Sequence, residues 1–124
     1  MADFNSVATQ FTQFYYQTFD AGRQNLAGLY RENSMLTFET NQVQGVASII
    51  DKLTSLPFKS TQHKIVTSDA QPSNDSGGIL VMVTGQLVID DSEHPQNYAQ
   101  TFQILPDGSG SYYVFNDVFR LLYG

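Results

Sequence analysis

The 124-residue chain has no cysteine. Disulfides and thiolate metal sites are excluded, and an intracellular home is permitted. Basic residues are scarce: 6 Lys and Arg stand against 12 Asp and Glu, a formal net charge of -6. A free-standing nucleic-acid binder draws most of its affinity from neutralising phosphate, so no nucleic-acid partner is expected. An acidic surface suits a basic protein partner instead. There are only 2 histidines, His63 and His94, too far apart for ligand spacing, so no metal and no cofactor are expected. No segment approaches the roughly 18–20 apolar residues of a membrane helix, and Met1-Ala2-Asp3-Phe4-Asn5-Ser6 has neither a basic start nor an apolar run. A soluble chain without signal peptide or membrane partner is the expectation. Gly77-Gly78 leads into a strand with no Lys-Ser/Thr after it, so no phosphate-cradling loop is read, and no Gly-x-Ser-x-Gly elbow occurs.

What is present is apolar and aromatic: hydrophobic residues make up 41%, with 9 Phe and 7 Tyr. That is enough for one core, and the length predicts one domain over 1–124. Phe4, Val7, Phe11, Phe14/Tyr15 and Phe19 recur at helical spacing and predict a first helix, with Asp3 as its cap. A short helix over Gln24–Tyr30 follows the Asp20-Ala21-Gly22 break. A strand pair over Ser34–Gln44 turns near Thr40-Asn41. A third helix over Val46–Leu56 is ended by Pro57. Strands are then expected over Phe58–Ala70, Ile79–Ile89, Asn97–Leu105 and Ser111–Leu122, with Gly85 marking a bulge or bend. Helices first and long strands after predict an α+β fold. Its antiparallel sheet is strongly bent and wraps the N-terminal helices into a conical hollow.

Two acidic patches close two of the most apolar stretches: Glu39 after Met35–Phe38, and Asp90-Asp91 after Ile79–Ile89. They read either as solvated strand-end acids or as a rim for a basic partner. His63 lies mid-strand with Thr61, Ile65 and Thr67 on its face. It is either a hydrogen-bonded core histidine or a general acid/base. His94 sits in an exposed loop. Asp117 shares strand parity with Phe115 and Phe119, where a carboxylate is costly unless paired. It is a structural acid or one with a raised pKa, and Arg120, of opposite parity, is a doubtful partner for it.

Phe11–Asp20, Leu36–Glu39, Lys52–Phe58, Gln62-His63, Asp69–Pro72, Val83–Leu87 and Asn116–Leu121 occur in order and in register. Through them the chain resembles the nuclear transport factor 2 family, in its fungal form. The resemblance implies a cone-shaped homodimer that binds GDP-bound Ran and contacts FxFG-repeat nucleoporins. It also implies a location in cytoplasm, nucleus and nuclear pore. It assigns Glu39, Asp90 and Asp91 to the acidic rim that meets Ran, with Ser92 and Glu93 as competing positions for the second acid. Phe38, Leu56, Phe58, His63, Leu87 and Phe119 match the pocket for an aromatic side chain of Ran, and Phe4 matches the FxFG site. The fold is also known in isomerases and dehydratases, for which His63, Asp117 and Tyr15 or Tyr16 would be the acid/base set.

Overall fold

The computed structural model describes residues 3–122. Helix α1 spans Phe4–Ala21, and the Asp3 side chain accepts from the Asn5 backbone N–H, as its sequence position predicts. Its apolar stripe buries Ala8, Phe11, Tyr15 and Phe19. A 3-10 turn over Arg23–Leu29 follows, and then β1 (Tyr30–Phe38) and β2 (Asn41–Gln44). Helix α2 covers Val46–Thr54, ending two residues before the expected Leu56. Four long strands complete the chain: β3 (Thr61–Pro72), β4 (Ile79–Ile89), β5 (Gln96–Pro106) and β6 (Tyr112–Leu122).

The six strands form one curved sheet in the order β2-β1-β6-β5-β4-β3. The α+β cone expected from the sequence is the fold observed. Every neighbouring pair is antiparallel except β1 with β6, which run parallel. The β3–β6 meander returns to the first hairpin from the far edge, and its last strand arrives alongside β1 in the same direction.

Two bulges shape the curve and alter side-chain parity. On β3 the register jumps between Ile65 and Thr67. Val66 is the extra residue, and Thr67 bonds Thr84 on the outer face, away from His63. On β6 the partner of Ile104 is Val114 while that of Gln103 is Asn116. Asp117 therefore shares its buried face with Val114 and Phe119, and Phe115 falls out of the parity expected for it. Gly85 pairs with Ile65, directly beside the first bulge. A Cβ there would lie 2.3 Å from the Lys64 carbonyl oxygen and 2.8 Å from the Tyr98 ring. The glycine is required by close approach, and the bulge itself is on the neighbouring strand.

Candidate functional site

Register places the nominated acids at one end of the sheet. Phe38 pairs with Phe119, Tyr98 with Leu121, Leu87 with Gln96, and Ile89 with Thr61. Glu39 and Asp90, one residue beyond β1 and β4, thus stand at the same edge. Three strand spacings separate them across the sheet, and because the Phe38 level runs through Phe119 and Gln100 to Val83, Asp90 lies farther out along the strand direction than Glu39. Glu39, Asp90 and Asp91 have φ of 63°, 52° and 58° and are the non-glycine residues with left-handed backbone among the described residues. Such a conformation costs about 1–2 kcal/mol per L-residue and persists only where the surroundings impose it.

Asp90-Asp91 is the centre of a tight turn closed by the Ser92 backbone N–H on the Ile89 carbonyl at 3.0 Å, where both central residues take positive φ, and side-chain hydrogen bonds hold Glu39 and Asp90. The Glu39 side chain accepts from the Leu121 backbone N–H. The Arg120 guanidinium donates to the Glu39 carbonyl and stands 3.9 Å from its carboxylate. Arg120 is therefore the neighbour of Glu39 and not of Asp117. Asp90 Oδ1 accepts from the backbone N–H groups of Lys59 at 2.7 Å and Ser60 at 2.8 Å. The N–H donors of Ser60 and Lys59 hold this carboxyl below its ordinary range. Asp91, Ser92, Glu93 and His94 are exposed; Ser92 Oγ accepts from the His94 backbone N–H.

Between the acids runs a series of rings. Phe38 stacks on Phe119 at 4.7 Å between centroids, and Phe119 on Tyr98 at 5.5 Å. His63 meets the edge of Tyr98 at 5.5 Å and stacks on Tyr16 at 4.6 Å. Phe38, Leu87 and Phe119 are buried. Leu56 and Phe58 pack against this core and keep partial exposure. Phe38 and Phe119 are thus linked to His63 through Tyr98, and His63 pairs with Leu87 across β3 and β4. Phe4 is elsewhere, in the first turn of α1 and partly buried.

Asp20, which sequence reasoning missed, organises His63. Its Oδ1 accepts from Thr61 Oγ1 at 2.7 Å and lies 2.6 Å from His63 Nδ1. Its Oδ2 accepts from the His63 backbone N–H at 2.9 Å. Burial alone would raise the Asp20 carboxyl, but the His63 hydrogen bond and charge outweigh it and hold it low. Asp20 ends α1 and lies 43 residues from His63, so no local spacing announces the pair. A cavity of about 360 Å³ lies against Gln13, Tyr16, Asp20, His63 and Ile65.

Asp117 belongs to a separate buried network. It accepts from Tyr30 at 2.7 Å, Tyr15 at 3.2 Å and Gln100 Nε2 at 2.7 Å. Tyr16 donates to Gln100 Oε1 at 2.8 Å. Burial pushes Asp117 up to about 6, against the pull of its three donors. Desolvation likewise drives the Tyr15 and Tyr30 phenols well above their ordinary range. His63 has its acid in Asp20 and Asp117 has its donors in the tyrosines, so the two do not form a joint acid/base pair.

These features define a class first: an α+β cone whose open end carries strained acids around packed rings. The family model for the nuclear transport factor 2 domain matches residues 7–121. Nuclear transport factor 2 of Emericella nidulans is 65% identical over 99% of this chain and 98% of its own. That of Schizosaccharomyces pombe is 56% identical over the whole of both chains. The solved structure of nuclear transport factor 2 from Cryptosporidium parvum superposes with a TM-score of 0.91 at 45% identity, covering 96% of this chain and 94% of that one. The chain belongs to the nuclear transport factor 2 family. Its role lies in nuclear transport, and it is a transport factor rather than an enzyme.

Proposed function

We propose that the chain works as a one-domain carrier that binds GDP-bound Ran at the acidic end of the cone. It would cross the nuclear pore by contact with FxFG-repeat nucleoporins, moving between cytoplasm and nucleus. The observation that carries this reading is the coincidence of strain and charge. Among the described residues, the three non-glycine ones with left-handed backbone are the three acids the sequence nominates as a rim, Glu39, Asp90 and Asp91. At Glu39 and Asp90 side-chain hydrogen bonds hold that backbone in place, which suits a preformed docking surface. Leu56 and Phe58, half-buried against the core, would offer apolar surface to an incoming aromatic anchor, the usual centre of an interface hot spot. Basic groups of the partner would meet the carboxylates, which suits a chain of net charge -6.

The nucleoporin contact is assigned to Phe4, whose partly exposed ring is smaller than an indole and lacks its N–H. The chain would act as a homodimer, which doubles each weak repeat contact without slowing its release. The experiment is retention of Ran from extract. Wild type should hold Ran loaded with GDP and not with GTP. Glu39→Lys should weaken this at least about a hundredfold while its circular dichroism and FxFG retention stay unchanged. Undiminished Ran binding by folded Glu39→Lys would remove Glu39 from the site.

A further inference from the structure

Residues 55–60 join α2 to β3 outside helix and sheet. Their last three carry two parts of the proposed docking mouth at once. One is the half-buried Phe58 ring. The other is the pair of backbone N–H groups, of Lys59 and Ser60, that hold the Asp90 carboxylate at 2.7 and 2.8 Å. A stretch with no ladder of its own takes its geometry from whatever bonds its backbone. Among the described residues, two from elsewhere in the chain bond residues 58–60. Asp90 is one, and its own N–H also donates to the Ser60 carbonyl at 2.9 Å. Arg23 is the other: its Nη2 donates to the Phe58 carbonyl at 2.6 Å, 35 residues away in sequence.

Arg23 opens the 3-10 turn directly after α1, so its stem starts from a fixed helix end. Its Cζ stands 5.4 Å from the Phe58 ring centroid and 5.8 Å from that of Phe19. Phe19 is buried and meets the His63 ring at 4.8 Å. One guanidinium thus holds the Phe58 main chain by a charge-assisted hydrogen bond and its ring by a cation–π contact, and ties both to the core behind. A planar guanidinium makes the two contacts together; an ammonium reproduces them only in part.

We propose that Arg23 is the positioning residue of the docking mouth: it fixes residues 58–60 so that the Phe58 ring and the Asp90 carboxylate are presented together. The donors to Asp90 are the next two residues after the carbonyl that Arg23 holds. Slack at Phe58 therefore passes directly to the rim acid. The docking role rests on the Ran-carrier reading above; the anchoring of the segment does not.

Two variants test it. Arg23→Met keeps an apolar stem and removes donor and charge, and Arg23→Lys returns one donor and the charge. Amide hydrogen exchange is followed by NMR at neutral pH. In Arg23→Met, exchange at Lys59 and Ser60 should speed about tenfold, while Val83 and Phe102 in the buried strands stay unchanged. Affinity for GDP-loaded Ran should fall about tenfold. Arg23→Lys should recover part of both losses. Removing a cation beside an acidic rim would by charge alone tighten a basic partner, so a fall reports lost geometry. Local speeding together with the affinity loss supports the proposal. Equal speeding at every amide would make Arg23 a general stabiliser and overturns it. Unchanged exchange at Lys59 and Ser60 overturns it as well, as does undiminished Ran binding by a variant whose segment is loosened. If wild type fails to bind Ran, the carrier reading falls, and the exchange arm alone then supports or overturns the anchoring.

Discussion

Asp117 is a carboxylate in the core with three donors and no cation. Its pKa is pushed up to about 6 by burial. The unfolded carboxyl titrates near 3.8, so between about pH 4 and 6 the folded state binds more protons. Stability must then fall as pH rises through this window and stay lower above it, by about 3 kcal/mol for a shift of some two units. Asp20, held low, acts in the opposite sense: its stabilisation is present above the ordinary carboxylate range and disappears as pH falls below it. Urea titrations of wild type and Asp117→Asn at pH 4, 5, 6 and 7 check this. The stability of wild type relative to the variant should drop across the series; a flat difference would mean that burial does not hold the proton on Asp117. At this scale the sequence is partly legible. Glu39, Asp90 and Asp91 are readable as acids that close apolar runs. Their left-handed backbone is not readable, because it depends on where β6 and the Lys59-Ser60 segment arrive. Asp20 and Arg23 are ordinary polar residues in a helix break until β3 brings His63 to Asp20 from 43 residues away and the segment before it brings Phe58 to Arg23 from 35.

Among the elements, β3 and β4 form the part of the sheet most dependent on backbone detail. Their pairing passes through the Val66 bulge directly beside Gly85. Gly85→Ala would drive a methyl into the Lys64 carbonyl and the Tyr98 ring. The expected cost is about 3 kcal/mol, or roughly 10 °C in melting temperature for a domain of this size. Differential scanning calorimetry reads it, and an unchanged melt would mean the strands can part at no cost. The glycine is visible in the sequence as a break in an apolar run, but the bulge it accommodates lies on a different strand. The same limit applies to β1. Hydrophobic pattern begins the strand at Ser34, whereas it begins at Tyr30, where a buried phenol reaches Asp117. The helices and β4–β6 are legible to within about two residues, because their periodicity is carried by the residues that fill the core. The parallel β1–β6 pair is not, since strand order is set by the whole meander.

On the whole molecule, the concave face of the sheet is covered by α1 and the outer face is open. Val118, Thr101, Met82 and Asp69 form one row across β6, β5, β4 and β3. Met82 is 51% exposed and Val118 49%, with Met35 and Val66 exposed as well. An open sheet face carrying exposed apolar side chains of this kind is what the proposed homodimer would bury between like sheets. Met82→Glu should leave the cone folded and weaken self-association about tenfold or more, because a carboxylate would be desolvated without a partner. Sedimentation velocity across a dilution series shows this as a shift from dimer to monomer; an unshifted dimer would place the contact elsewhere. The central claim concerns the other surface, the strained acidic mouth. Isothermal titration calorimetry with purified Ran tests it most directly. The chain should bind Ran loaded with GDP, bind Ran loaded with GTP at least about a hundredfold more weakly, and lose the GDP-form complex in a folded Glu39→Lys variant. Equal binding of both nucleotide forms, or full affinity in Glu39→Lys, would contradict a GDP-Ran carrier docked on this rim.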